Sequence, residues 1–188
     1  RVQVKNLSGI TKISAGYDFS LALKSDGTLW SWGYNGNGQL GDGSGLQKIY
    51  RVQVSVLGNS VMDIDAGSYH AFAIKNDNTL WGWGRNSDGQ LGDNTTIGRN
   101  APVQTQGGMT NVISISAGGY HSLAMKSDGS VWGWGYNYEG QVGNGIANNE
   151  YSLPQRALYL CPTQDNDIDV DLSATCTKYD TLPAGGND

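Results

Sequence analysis

The segment LWSWGYNGNGQLGDGSG beginning at Leu29 returns as LWGWGRNSDGQLGDNTT at Leu80 and as VWGWGYNYEGQVGNGIA at Val131, at an unvarying interval of 51 residues. Ile13–Gly43, Ile64–Asn94 and Ile115–Gly145 align without a gap, and 13 of the 31 columns are identical in all three copies. No other feature constrains the fold as tightly. A repeat of this length is one supersecondary unit that cannot bury its apolar side alone, so copies must stack to make a continuous core. The repeat also sets how single residues are read: a side chain that recurs in each copy is architecture before it is a site.

Within a copy, FSLALK (Phe19–Lys24) alternates large and small residues with the period of a strand. SDGT (Ser25–Thr28) reads as a hairpin turn and LWSWG (Leu29–Gly33) as a second, aromatic strand. The third turn column is Gly27, Asn78 and Gly129, the two residue types that tolerate left-handed backbone, so positive φ is expected there. A β-like segment precedes each copy, RVQV at Arg1–Val4 and at Arg51–Val54 and APVQT at Ala101–Thr105, with a fourth, LPQRAL, at Leu153–Leu158. Four short strands per repeat, many glycines for tight turns and no helical period describe a propeller blade. The chain is therefore expected to be all-β, with three blades of four antiparallel strands over residues 1–158 (repeat cores 13–43, 64–94 and 115–145). These form an open arc or part of a larger propeller, followed by an irregular acidic tail over 159–188.

The stretch SAGYDFSLALKSDGTLWSWGYNGNGQLGDG and its two partners resemble the regulator-of-chromosome-condensation repeat. The shared signals are AG, SDG, W-x-W-G-x-N and GQ-[LV]-G, over about Arg1–Leu158. The resemblance implies β-propeller blades, commonly seven to a closed ring, of which three are present. It implies little about activity, because one fold hosts unrelated functions.

Candidate sites divide accordingly. His70 and His121 share a column with Phe19, which marks that column as packing, with a ring N–H bonded to a neighbouring carbonyl. The six tryptophans form the pairs Trp30/Trp32, Trp81/Trp83 and Trp132/Trp134; residues i and i+2 share one strand face, so the pairs read as blade core rather than as a ligand cage. A light-sensing role, as in the plant ultraviolet receptor on this fold, lacks its Gly-Trp-Arg-His-Thr run. The column Asp42, Asp93 and Asn144 needs no catalytic role, and no phosphate-binding, zinc-binding or nucleophile motif occurs. No catalytic residue, cofactor or metal is expected, and the chain is read as not an enzyme. Binding specificity is placed in the variable loops Ser44–Tyr50, Thr95–Asn100 and Ala147–Ser152.

In the tail, Asp165, Asp167, Asp169 and Asp171 alternate with Asn166, Ile168 and Val170. Calcium is the sharper reading, but the EF-hand glycine and terminal Glu are missing, so a strand with an acidic side is favoured. Cys161 and Cys176 are the only cysteines, separated by fourteen residues, and are expected to form a disulfide. A bridge there places the protein outside a reducing cytoplasm, extracellular or at a cell surface. The net charge of −5 speaks against nucleic acid, and no apolar run is long enough to insert in a membrane.

The leading functional expectation is a non-enzymatic extracellular repeat protein that assembles with copies of itself, as a ring or a filament. Val2 and Val4 at one end and Leu153 and Leu158 at the other would be its assembly edges, with Leu153–Leu158 as a surplus strand donated to a neighbour. The alternative is part of a closed propeller that binds another protein, resembling the secreted β-lactamase-inhibitor proteins built on this repeat; nucleotide exchange on a small GTPase ranks third. The cysteine expectation is checked by alkylating the native protein without reductant. No mass gain is expected, whereas two added groups would remove the bridge and the extracellular assignment with it.

Overall fold

The computed structural model describes Val4 and residues 7–158, and the chain divides after Leu158 into two units, Arg1–Leu158 and Tyr159–Asp188. Cys161, Cys176 and the four aspartates of the tail lie outside the described residues, as does Val2. Twelve strands form three antiparallel sheets of four. The first holds β1 (Ile10–Ala15), β2 (Phe19–Lys24), β3 (Leu29–Gly33) and β4 (Lys48–Gln53). The second holds β5 (Val61–Ala66), β6 (His70–Lys75), β7 (Leu80–Gly84) and β8 (Arg99–Gln104). The third holds β9 (Val112–Ala117), β10 (His121–Lys126), β11 (Val131–Tyr136) and β12 (Glu150–Arg156). Each sheet is a meander in chain order, and registers repeat between blades: Leu21 opposes Ser31, Phe72 opposes Gly82 and Leu123 opposes Gly133.

The expected hairpin boundaries hold at β2, β3 and the turn between them. Gly27, Asn78 and Gly129 have φ of 77°, 59° and 79°. At each turn an aspartate carboxylate (Asp26, Asp77, Asp128) accepts the backbone N–H two residues on, at 2.9–3.0 Å.

The partition into blades differs from the sequence reading by one strand. Arg51–Gln53, Ala101–Gln104 and Leu153–Arg156 do not introduce the copy that follows; they close the blade they end, as β4, β8 and β12 paired to β3, β7 and β11. Leu153–Leu158 is therefore no surplus strand: its β12 residues complete the third blade. The strand that opens each blade starts at Ile10, Val61 and Val112, three residues ahead of the aligned copies. The variable loops are shorter than expected, since Lys48–Tyr50, Arg99–Asn100 and Glu150–Ser152 lie inside outer strands.

Adjacent blades meet along β1, β5 and β9. Lys12 pairs with Asp63, Ser14 Oγ donates to Asp65 at 3.0 Å, and the Ala117 N–H donates to the other Asp65 oxygen at 2.8 Å. Between the sheets lie two apolar slabs. Phe19, Leu21, Leu23 and Leu29 pack on Ile64, Ala71, Ala73 and Trp83; Phe72, Ile74 and Leu80 pack on Ile115, Ala124 and Trp134. Each slab is thus made of one blade's trailing face and the next blade's leading face. The invariant isoleucine column shows the consequence: Ile64 and Ile115 are 0% and 7% exposed, while Ile13, which no described blade precedes, is 73% exposed.

The tryptophan pairs do not lie at one depth. Trp83 and Trp134 are fully buried, and each indole N–H donates to a carbonyl of the preceding blade, Gln39 O at 2.9 Å and Gln90 O at 2.7 Å. Trp30, Trp81 and Trp132 are half-buried, bond the hydroxyl two residues back (Thr28, Thr79, Ser130), and Lys75 and Lys126 lie over the rings of the latter two. Trp32, at the leading face of the first blade, is also half-exposed. Trp83→Ala should cost about 3–5 kcal/mol, the range for a large buried aromatic, while Trp32→Ala should cost well under half of that. Urea denaturation of both variants checks the difference, and equal losses would contradict seam burial as its origin.

Candidate protein-binding face

The invariant columns are taken up by architecture, one after another. Asn35, Asn86 and Asn137 are buried at the root of the long loop that leaves each third strand. Their amide oxygens accept the N–H of Leu40, Leu91 and Val142 at 2.8–2.9 Å, and their amide nitrogens donate to Leu46 O, Ile97 O and Ile146 O across the loop. The GQ-[LV]-G segment they hold reaches over the next blade. A Cβ on Gly41 (φ 68°) would stand 2.8 Å from the Trp83 indole nitrogen, so only glycine fits against that ring.

The column Asp42, Asp93 and Asn144 anchors the same loops. Asp42 pairs with Lys48 at 3.4 Å and Asp93 with Arg99 at 2.7 Å; in the third copy the two columns hold Asn144 and Glu150, so carboxylate and cation are lost together. Burial pushes the Asp42 carboxyl up, but the Ser44 N–H and hydroxyl, Lys48 and Asn35 outweigh it and leave its pKa below the ordinary value. Burial likewise opposes Thr95, Arg99 and Asn86 at Asp93, with the same outcome. A cleft of 570 Å³ runs from Asp93 to Thr110, but its charged groups, Asp93 and Arg99, are already paired to each other.

His70 is fully buried at the seam of the second and third blades. Its Nε2 lies 3.1 Å from Ser122 Oγ, and that hydroxyl donates at 2.8 Å to Gln90 O. The single hydroxyl proton is committed to the carbonyl, so Nε2 carries the ring proton and donates; the expected carbonyl partner is reached through a serine. Nδ1 is left buried without a partner, and desolvation, then His121 and Arg85, pull the pKa down to about 3. At the seam of the first and second blades Phe19 and Ala71 occupy the same two columns. His70 is thus a seam residue, His121 holds the same column of the third blade half-buried, and among the described residues no three His, Cys, Asp or Glu side chains gather to hold a metal.

Groups that recognise something else must therefore come from variable columns, and these converge on one face. The loops after β1, β5 and β9 and those after β3, β7 and β11 emerge on the same side of the sheets. They carry Tyr17, Tyr69, Tyr120, Tyr34, Arg85 and Tyr138, with Tyr136 at the end of β11 beside them. Tyr17 and Tyr69 rings stand 5.7 Å apart, Arg85 lies over Tyr120 at 4.7 Å, Tyr120 and Tyr136 are 6.4 Å apart, and Tyr136 and Tyr138 4.9 Å. Tyr17 is 72% exposed, and Tyr34, Tyr120 and Tyr138 are 42–43% exposed. Partial desolvation, then the phenols of Tyr17 and Tyr120 and the Asp18 carboxylate, push the Tyr69 pKa up against Arg85. Beside the belt the A-G corners of all three blades, Ala15–Tyr17, Ala66–Ser68 and Ala117–Gly118, line a depression of 240 Å³. The sequence reading missed this face, although ten tyrosines against two phenylalanines, six of the ten lying just behind the AG and W-x-W-G motifs, carried the signal.

Comparison with known proteins agrees with the architecture. The Regulator of chromosome condensation (RCC1) repeat matches residues 26–74, 77–125 and 128–164, and a second description of that repeat matches 10–39, 61–90 and 112–141. The chain belongs to the RCC1 repeat family. It is 33% identical over 184 residues to the probable E3 ubiquitin-protein ligase HERC3 of Homo sapiens, covering 96% of this chain and 17% of that protein. It is 31% identical over 136 residues to the RCC1 domain-containing protein RUG3, mitochondrial, of Arabidopsis thaliana, covering 71% and 31%. The RCC1-repeat chain thus spans less than a third of the length of these relatives. Among solved structures it is similar to human WBSCR16 (TM-score 0.75, 24% identity) and to Prp20p of Saccharomyces cerevisiae (0.72, 25%), each match covering 82% of this chain and 39% of the other. The Prp20p structure was described together with its binding to Gsp1p and histones.

The two RCC1 seams are expected to differ in acid response. His70 is neutral when folded and takes a proton near pH 6.5 when unfolded, so the stability it contributes is complete above pH 6.5 and is lost as pH falls toward its folded value of about 3. The loss by about pH 4 is on the order of 3 kcal/mol. His70→Phe with Ser122→Ala, which copies the first seam, should remove most of this slope in thermal melts between pH 6.5 and 4. An unchanged slope would show that the loss arises elsewhere.

Proposed function

We propose that this chain is a protein-recognition segment of an RCC1-type propeller, that it performs no reaction of its own, and that the tyrosine face is its contact surface. The observation that carries this reading is the division of labour between columns. Invariant residues serve seams, turns and loop roots, whereas four variable columns place six tyrosines and an arginine side by side on one exposed face. Tyrosine and arginine are the residues that dominate protein interfaces, because they bring large rigid area at small entropic cost together with a polar tip. The acidic groups on the same side (Asp18, Glu139, Glu150) and the Arg85–Asp88 pair leave the rim net negative, which suits a partner with basic and apolar groups. Proteins bound by the similar Prp20p support a protein as the kind of partner.

Affinity capture with quantitative mass spectrometry tests the reading. Wild type is compared with Tyr17→Ala/Tyr120→Ala and with a control altered at the opposite face, Ser25→Ala/Ser127→Ala. Selective loss of bound proteins from the tyrosine variant, with at least a tenfold drop in recovery and an unchanged melting curve, is the expected result. Equal recovery from all three proteins would remove this face as the contact surface.

A further inference from the structure

On the tyrosine face the repeat fills one position at its second seam and leaves the matching position unfilled at its first. Tyr34 stands one repeat before Arg85, and Tyr69 one repeat before Tyr120. At the second seam the chain supplies its own cation: Arg85 of the second blade lies 4.7 Å over the ring of Tyr120 in the third. At the first seam the column of Arg85 holds a tyrosine, and among the described residues no cation lies over Tyr69. The Tyr34 ring turns back along its own loop, where a Cβ on Gly36 would overlap its hydroxyl, and it meets no other ring among the described residues.

Two further differences between the seams suit the first to a cation. Tyr17 stands where Ser68 stands one repeat on, so Tyr69 has a second ring beside it, 5.7 Å away and tilted by 50°. Asp18, next in the chain, is exposed and has no ion pair among the described residues. Burial, then the phenols of Tyr17 and Tyr120 and the Asp18 carboxylate, raise the Tyr69 pKa, which puts that carboxylate within electrostatic reach of the ring. Arg85 acts on Tyr69 in the opposite sense, but its charge is met by Asp88 at 3.3 Å. Two rings beside an unpaired carboxylate suit a guanidinium, which stacks by its plane and bonds by its edge; an ammonium has no plane to lay on a ring.

We propose, resting on the reading of this face as a contact surface, that the partner protein places an arginine here, its guanidinium over Tyr69 as Arg85 lies over Tyr120 and its charge toward Asp18. Every residue of the position comes from the first two blades and the seam between them. The partner's side chain supplies at the first seam what the chain supplies for itself at the second.

Nuclear magnetic resonance titration of the chain Arg1–Asp188, carbon-labelled in its tyrosine rings, tests this with two probes. They are acetyl-Gly-Arg-Gly-amide and the same peptide carrying citrulline, which keeps the shape of arginine without its charge. Saturable shifts of the Tyr17 and Tyr69 rings are expected with the arginine peptide, at an affinity at least about tenfold above that of citrulline. Asp18→Asn should weaken the binding about threefold or more, and Tyr34→Arg, which copies Arg85 into the first seam, should abolish it, both with the melting curve of wild type. Equal shifts from both peptides, or undiminished binding by the Tyr34→Arg protein, overturn the proposal. If Tyr69 does not respond to the arginine peptide while Tyr17→Ala/Tyr120→Ala still loses its captured proteins, the arginine position falls and the contact face stands. If the peptide binds but capture is unaffected by that variant, the contact face falls and this inference falls with it.

Discussion

The indole N–H of Trp83 and that of Trp134, each the second tryptophan of its W-x-W pair, donate to a glutamine carbonyl of the blade before, and the rest of the molecule depends on that interaction. It seats Trp83 under the first blade's loop and Trp134 under the second's. A buried indole without an acceptor is costly, so the bond fixes the depth of the ring as well as its direction. The loop that supplies the carbonyl must then be rigid and close, which accounts for the buried Asn35, Asn86 and Asn137 at its root and for glycine at Gly41 and Gly92 against the rings. One requirement thereby explains the W-x-W-G-x-N and GQ-[LV]-G parts of the repeat together.

Cohesion in this design runs between blades rather than within them. A single four-stranded sheet has its apolar residues on two sides, and each side is covered only by a neighbour, as expected of a repeat architecture with nearest-neighbour energetics. The identical isoleucine column, buried twice and exposed once, shows how directly this follows from position in the stack. The two internal seams are not copies of each other. One is apolar throughout at Phe19–Ala71, while the other carries the His70–Ser122–Gln90 chain with a bare Nδ1 at its end. A polar chain in a seam discriminates against an apolar partner, and a histidine kept neutral by burial makes the second seam the one expected to weaken in acid.

Recognition is left to residues that cohesion does not use. In each blade the corners after the first and third strands are held by backbone bonds, among them Tyr17 N–H to Ser68 O and Arg85 N–H to Tyr69 O, so their side chains are free to vary without loss of fold. That freedom places tyrosines and Arg85 on one face, stacked on each other and stiffened before any partner arrives. Preorganised aromatic area of this kind lowers the entropic cost of binding.

The sequence by itself determined the repeat, its period, and the hairpin with its left-handed turn at Gly27, Asn78 and Gly129. These are local or periodic properties: the copies repeat at a fixed interval, and a turn requires a residue that tolerates positive φ. Only the tertiary structure decided where one blade ends and the next begins, because strand pairing is a long-range choice and Arg51–Gln53 reads equally well as the end of one unit or the start of another. It alone separated Trp83 from Trp81, since residues two apart share a strand face but not a depth beneath the neighbouring blade. It alone also gathered Tyr17, Tyr69, Arg85, Tyr120 and Tyr138 onto one surface. They lie in different copies and different columns, and what unites them is the common side on which alternate strand connections emerge, a property of the stacked sheets and not of any single repeat.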